Sequence, residues 1–452
     1  LASPAQIGEE ELAGPALSPV ARAERISSLD TLRGFSLMGI LVMNITDFAF
    51  GYSNYSVPLS TVKPVFDGPH WQLNTAAWFL RWIFFEGKMR GLFSLLFGAG
   101  VILLTERALA RGAGIRAADI YTRRNMWLVL FGMLHGYLIW SGDILFYYGL
   151  AALLFLFPFR NLRVKTLMRV AAILLVLNSA LGMGHEYFHP RAQRAVANRA
   201  SEKLAQHKTL TPDESDDLKA WADAQHDWRK TPKQINEDIA AMQKGYASAQ
   251  GHRAKDVLLG ELKGSYFGFG DWVGMMLLGM ALYKNGFLSG RLRMRTYAWT
   301  AVIGLSIAWS VTAIGAYKAW AGHFDLFQAA LWMQTPYDLA RVSGALGIAA
   351  FILLLLKAGR LPWLLRPVAS VGQMALSNYI LTSVVMQVIY AWGPWHWYGS
   401  VEYYKVYYAV AAMWLANLLF SAVWLRFFEF GPLEWAWRSL TYWKRQPMRI
   451  SA

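Results

Sequence analysis

The sequence predicts an all-α polytopic integral membrane protein with about ten transmembrane helices, both termini cytoplasmic, one interfacial helix and one helical extracytoplasmic insertion. Three observations lead there. Hydrophobic residues make up 55% of the 452, and charged residues only 16%, well below the roughly 25% of a soluble domain. Apolar runs of spanning length, about 20 residues, recur along the chain. The basic residues recur in short clusters between those runs, as loops beside a membrane place them. A net charge of +15 would suggest nucleic acid if it formed one stripe, and its scatter argues against that class of partner. With no cysteine there is no disulfide, thiolate nucleophile or Cys-ligated metal.

Residues 1–24, rich in Ala, Pro and acidic side chains, predict a disordered tail without a cleavable signal peptide, since no basic stretch leads directly into an apolar one. An N-terminal transmembrane bundle, 25–184, holds runs at 31–50, 90–106, 125–141, 143–159 and 165–184. WQLNTAAWFLRWIFFEG (71–87) is Trp-rich and carries Arg81 and Glu86, which predicts a helix lying in the interface. A C-terminal bundle, 264–430, holds runs at 266–284, 296–320, 337–357, 372–392 and 405–428, followed by a cytoplasmic tail, 431–452. Ten spans put Arg107, Arg111, Arg123, Arg160, Lys284, Arg293, Lys357 and Arg366 on one side, while loops 321–336 and 393–404 hold no Lys or Arg. The positive-inside rule makes the first side cytoplasmic. The hydrophilic stretch 185–263, with five of the nine histidines, is then an external helical cap.

Ionisable residues at bilayer depth are costly and mark function by default. Asp30 and Arg33 share one helix face at the cytoplasmic boundary, where an anchoring ion pair and a functional pair fit equally well. Gly34 and Gly39 permit close helix approach, and Asn44 adds an amide farther out. His135 lies ten residues into its run, about 15 Å deep, flanked by Gly132 and Gly136. A neutral imidazole there can take a proton from a nucleophile, although a packed, hydrogen-bonded histidine is the bland alternative. Asp143 opens the next run; along a continuous helix it would stand about 12 Å from His135, so pairing is not assured. Asp271 lies early in a run entering from outside, so one cavity could collect His135, Asp143 and Asp271, unless Asp271 caps its own helix. Ser377, Asn378 and Tyr379 bring polar groups into an apolar run, where they bind substrate or glue helices together.

HEYFHP (185–190) matches the H-E-x-x-H zinc pattern, with His185 and His189 as ligands and Glu186 as base. Three features weigh against zinc: Pro190 disfavours helix at the ligand pair, the motif sits at a helix exit, and no third ligand is specified. No metal is expected.

RISSLDTLRGFSLMGILVMNI, LFSLLFGAGVILLTER, GMLHGYLIWSGDILFYYGL, GMMLLGMALYKNG, GQMALSNYILTS and GPLEWAWRSLTYW together resemble the YeiB-like bacterial membrane proteins, described by a domain of unknown function numbered 418. The opening SLDTLRG also resembles the first helix of a wider transmembrane acyltransferase group, including acyltransferase-3 proteins and glucosaminide N-acetyltransferases. The resemblance implies a multi-pass protein of the bacterial cytoplasmic (inner) membrane. It further implies transfer of an acyl (acetyl) group from a cytoplasmic acyl-coenzyme A to an extracytoplasmic saccharide or glycan lipid. Arg33 matches the first-helix arginine, and His135 and Asp143 match the H…GD segment. On that reading Asp30, Arg33, Arg123 and Arg124 hold the donor, His135 is the general base oriented by Asp143 or Asp271, and Asn44, Ser377, Asn378 and Tyr379 face the acceptor. The expected partners are the bilayer, the donor and the acceptor, without nucleic acid, and a homo-oligomer is compatible with such a bundle. Two other readings stand beside it: a proton-coupled transporter using intramembrane His and Asp, and an assembly or signalling protein docking through 185–263.

Overall fold

The computed structural model describes residues 27–50 and 68–450, apart from 111, 113, 115, 229 and 230. The predicted tail, 1–24, lies outside the described residues. From the N-terminus the helices are α1 (Ser27–Phe50), α2 (Trp71–Phe84), α3 (Lys88–Ala110), α4 (Arg116–Leu138), α5 (Leu145–Phe159) and α6 (Val164–Met183). The insertion adds α7 (His189–Ala205), α8 (Pro212–Trp228), α9 (Pro232–Gln243) and α10 (Tyr246–Phe267). Then come α11 (Phe269–Lys284), α12 (Met294–Ala321), α13 (Leu326–Ala329), α14 (Tyr337–Lys357), α15 (Pro362–Gln373), α16 (Ala375–Gln387), α17 (Val406–Phe427) and α18 (Pro432–Tyr442). Each of the ten predicted runs falls on a helix. Among the described residues, seven stretches are long and apolar enough to cross a membrane: Ser27–Phe50, Trp71–Ala110, Val164–Ala205, Met294–Ala321, Leu326–Lys357, Ala375–Trp392 and Tyr403–Phe427. Helix α5 is apolar but shorter, α11 has only 16 residues, and α4 opens with the charged RAADIYTRR. The architecture is that of a polytopic helical membrane protein.

Hydrogen bonds between turns sort the bundle into two ends. At the basic end Ser28 donates to the Leu288 carbonyl (3.3 Å), Lys357 to that of Gly290 (2.9 Å) and Trp437 to that of Arg124 (2.8 Å). At the opposite end the Gly399 amide donates to the Ala49 carbonyl (2.7 Å), Tyr246 to Leu138 (3.0 Å) and Trp228 to Phe324 (3.2 Å). Helix α4 therefore runs from one end at Arg124 to the other at Leu138, although its charged first turns keep it out of the apolar seven. The loops predicted to share a side of the membrane meet at a shared end.

Helix α1 threads the middle, and 19 of its 24 residues are buried. Its close neighbour is α15, because two glycines face each other. A Cβ on Gly34 would meet the Val368 carbonyl oxygen at 1.9 Å, and one on Gly372 would meet that of Asp30 at 1.9 Å. Helix α2 is amphipathic: Asn74, Trp78, Arg81 and Trp82 are buried at helical spacing, while Trp71, Leu73 and Leu80 are exposed.

The insertion is helical and docked. Helix α6 does not end at Pro190 as the sequence suggested. It continues through a π-helical turn, Gly184–Phe188, into α7, and that turn ends two residues before Pro190, whose ring cannot complete an ordinary helical hydrogen bond. Helices α9 and α10 close on the bundle through side chains. Gln243 donates to the His396 and Tyr398 carbonyls (3.0 and 2.8 Å), Tyr398 donates to Asp238 (3.0 Å), and Gln250 donates to the Tyr137 carbonyl (3.0 Å). At the basic end α18 occupies the stretch expected as tail and packs back on the bundle through Glu434 and Trp437.

Candidate functional site

The chain reverses direction just after α4, and that reversal builds the site. Trp140 N–H bonds back to the His135 carbonyl (2.8 Å), ending the helix, and Gly142 precedes Asp143. Gly132 lets the returning backbone press in: a Cβ there would meet the Phe146 nitrogen at 2.1 Å. Asp143 is thereby folded beside His135 instead of a continuous-helix distance away. Its Oδ1 lies 2.8 Å from His135 Nδ1, and its Oδ2 accepts the Phe146 amide at 2.7 Å. The side chains of His135 and Asp143 are 1% and 5% exposed. A carboxylate at Nδ1 fixes the proton on that nitrogen and leaves Nε2 as the basic lone pair. His135 Nε2 is buried with no hydrogen-bond partner among the described residues.

Aromatic rings enclose the imidazole. Tyr379 of α16 tilts against it at 4.9 Å between centroids, and Trp140 stands edge-on at 6.2 Å. Trp140 donates through Nε1 to Asp47 Oδ2 (2.6 Å) and stacks on Phe48 (4.3 Å), both on α1. Tyr379 and Trp140 also line a cavity of about 20 Å³, which Asn44, Thr382, Ser383 and Asn417 share. That is room for roughly one water molecule. Asn44 and Tyr379 thus reach the same small space. Ser377 and Asn378 do not: Ser377 donates to Glu434 (2.5 Å), and Asn378 donates to Ser421 (2.8 Å) and to the Val371 carbonyl (3.2 Å), which is helix-to-helix bonding.

Asp271 does not join His135 and Asp143. One of its oxygens pairs with Arg341 and the other with Arg90 (2.8 Å). A carboxylate in apolar surroundings takes the guanidinium groups within reach, and here α3 and α14 supply them. Arg341 also pairs with Asp338 (2.7 Å), which accepts from Ser179 and Asn178 on α6 (2.6 and 3.2 Å). Nearby Arg81 pairs with Glu86 (2.8 Å), Tyr337 donates to Glu86 (3.3 Å), and fully buried Lys88 donates to the Glu86 and Trp82 carbonyls (3.2 and 3.4 Å). Arg90, Asp338 and Arg341 sit at the edges of apolar runs, where a charge in the sequence resembles an ordinary boundary residue. The signal was there, since Asp338 and Arg341 fall inside the run 337–357. Asp47 was missed for the same reason.

At the basic end Arg33 pairs with Asp30 (2.8 Å) and reaches towards the Gly372 carbonyl (3.5 Å). The Arg124 guanidinium lies flat over the Trp437 ring, 3.6 Å from its centroid, within electrostatic reach of both Arg33 and Arg438. Neighbouring Arg123 has a buried Nε without a hydrogen-bond partner among the described residues. In the HEYFH stretch, His185 and His189 are exposed with ring centroids 6.4 Å apart, and no group of three or more metal-ligating side chains gathers among the described residues.

Comparison with known proteins places the chain. Residues 282–444 match a family model described as "Protein of unknown function (DUF418)". The chain is 30% identical over 426 residues to an uncharacterized protein YeiB of Escherichia coli (strain K12), covering 92% of this chain and 96% of that one. It is also 30% identical over 447 residues to an uncharacterized protein YxaH of Bacillus subtilis (strain 168), covering 96% and 98%. No solved structure matches. Similarity of that extent covers nearly the whole chain, and by it the chain belongs to the YeiB-like, DUF418 family of multi-pass helical membrane proteins.

Proposed function

We propose that this protein is a membrane acyltransferase, moving an acyl (acetyl) group from a cytoplasmic coenzyme A thioester to an extracytoplasmic saccharide or glycan lipid in the bacterial cytoplasmic membrane. One observation carries the reading: a buried imidazole whose Nδ1 is held by Asp143 and whose Nε2 is unpartnered among the described residues, packed against Tyr379 and Trp140, two residues that line a small cavity. Such an imidazole is built to remove a proton. In this reading Nε2 takes the proton of an acceptor hydroxyl as its oxygen bonds to the acyl carbon. The carbon–sulfur bond then breaks, and the proton passes to the leaving thiolate. Asp143 steadies the imidazolium, and Tyr379 and Trp140 keep water out.

The arginines fit the donor's phosphates. Guanidinium groups suit phosphate oxygens, and Arg33 and Arg124 gather at the end that the positive-inside rule assigns to the cytoplasm. Helix α1 links that end to Asn44, eleven residues or about 16 Å farther along. The test is thioester turnover by purified protein in detergent or nanodiscs. His135→Ala is expected to lower it by about 10²–10⁴-fold; a fully active variant removes His135 from the mechanism. The buried network around Asp271, Arg341 and Lys88 favours a second reading, a proton-coupled transporter. Proton-linked flux in proteoliposomes without thioester turnover would select it.

A further inference from the structure

Helix α17 contributes an amide that the proposed reaction does not use. It meets α16 through two polar rungs. Asn378 donates to Ser421 (2.8 Å), and Asn417 Nδ2 donates to Thr382 Oγ1 (3.2 Å). Three residues before Asn417, Trp414 donates to the Met38 carbonyl of α1 (2.9 Å), so α17 is fixed to both neighbours. The two rungs differ in their surroundings. Asn378 and Ser421 are wholly enclosed by protein, whereas Asn417 and Thr382 line the 20 Å³ cavity together with Asn44, Trp140 and Tyr379. Asn417 is 3% exposed, and its Oδ1 has no hydrogen-bond partner among the described residues.

Volume and chemistry narrow what such a space takes. Empty cavities in proteins are apolar, while a polar one this small suits a single water molecule or hydroxyl and excludes a sugar ring. A buried carbonyl oxygen without a donor is costly, so Asn417 calls for a hydrogen from whatever enters. A hydroxyl both donates and accepts, and can answer Asn417 Oδ1 and a donor across the cavity at once. The cavity also shares two walls with the imidazole, because Tyr379 and Trp140 line it and both pack against His135.

We propose that this cavity is a subsite for a single hydroxyl group and that Asn417 is the residue that recognises it. The subsite stands on the cavity and the unpartnered amide oxygen; only the owner of the hydroxyl, the acyl acceptor, rests on the acyltransferase reading.

The probe is methanol, a hydroxyl on one carbon, offered to the whole protein in nanodiscs with acetyl-coenzyme A as donor. Its oxygen bonds to the acetyl carbon as the carbon–sulfur bond breaks, and its proton passes to the thiolate, giving methyl acetate and free coenzyme A. Asn417→Leu is expected to raise the methanol KM about tenfold, the equivalent of one hydrogen bond. Asn417→Asp keeps an oxygen in place and should recover part of the loss. Stability separates recognition from packing. Leucine can fill the cavity and leaves no unpaired polar atom, so Asn417→Leu should melt at or above the parent temperature. Ser421→Ala breaks the neighbouring rung, and should lower the melting temperature with the methanol KM unchanged. If Asn417→Leu melts below the parent and keeps its KM, Asn417 is a helix fastener and the subsite is overturned. A high-resolution cryo-electron map of the parent should show oxygen-sized density against Asn417, and its absence overturns the subsite too. Density there with a KM indifferent to Asn417→Leu leaves a structural water only, which also overturns it. A parent that turns over no thioester defeats the acyltransferase reading by itself. The subsite then stands if the density is present and Asn417→Leu melts no lower than the parent, and falls otherwise.

Discussion

At the scale of single residues, the site depends on a contact that sequence spacing alone left open. His135 and Asp143 are eight apart, about 12 Å along a continuous helix, and they touch only because the chain reverses at Trp140 and Gly132 admits the returning backbone. Asp143→Asn is expected to keep the fold and to lose most of the thioester turnover, because an amide no longer fixes the imidazole proton on Nδ1. A stopped assay alongside a melting curve separates the two effects. Arg341 gives a stability prediction of the opposite kind. Its removal leaves Asp271 and Asp338 without their shared guanidinium, and breaking a buried pair typically costs about 3–5 kcal/mol. Arg341→Leu should therefore melt far below the parent in detergent, and adding Asp338→Asn and Asp271→Asn should restore part of the loss.

Among the elements, helix position was legible in the sequence and helix ends were not. Apolar length locates a run because the bilayer sets it, so each of the ten predicted runs lies on a helix. Ends depend on tertiary partners that a run does not reveal. Pro190 reads as a stop, yet a π-helical turn carries the helix past it. Residues 432–442 read as tail, yet Glu434 gives them a buried partner on α16. The pairing of His135 with Asp143 was anticipated only as an open option, and the partners of Asp271 were not anticipated, since they come from α3 and α14. Two predictions belong at this scale. Gly34→Ala places a methyl against the Val368 carbonyl of α15, and overpacking of that kind costs about 1–3 kcal/mol, readable as a lowered melting temperature. Burial of Glu434 raises its pKa above the ordinary 4.5. A carboxyl shifted that way supports the fold most below 4.5, and its contribution fades as pH rises through the shifted value. Melting temperature should accordingly fall from pH 4.5 upwards in the parent by more than in Glu434→Gln.

For the molecule as a whole, the bonds between turns divide the surface into a basic end and a capped end, and the positive-inside rule predicts that the first faces the cytoplasm. The chain has no cysteine, so single cysteines report sidedness without background. In intact cells a membrane-impermeant maleimide should label Ser201→Cys on α7 at once, and Arg445→Cys only after permeabilisation. The reverse pattern would invert the protein and bring Arg33 and Arg124 to the wrong side for a cytoplasmic donor. The same scale exposes how closed the site is. The cavity that Trp140, Asn44 and Tyr379 line is about 20 Å³, so on the proposed acyltransferase reading a saccharide enters only if the helices around it move, and α10 sits on two of the last carbonyls of α4.

The unbroken passage from α6 to α7 would give such a movement a mechanical form. Val164 to Ala205 is one helical rod of 42 residues, about 63 Å long. Only about 30 Å of it is needed to cross the hydrocarbon core, so a large part stands beyond the membrane as a lever. Its lower portion packs against α11, where Leu175 meets Gly274, and its upper portion belongs to the cap. A tilt of about 5° would swing the far tip by about 5 Å, converting a shift inside the bilayer into a stroke at the outer surface.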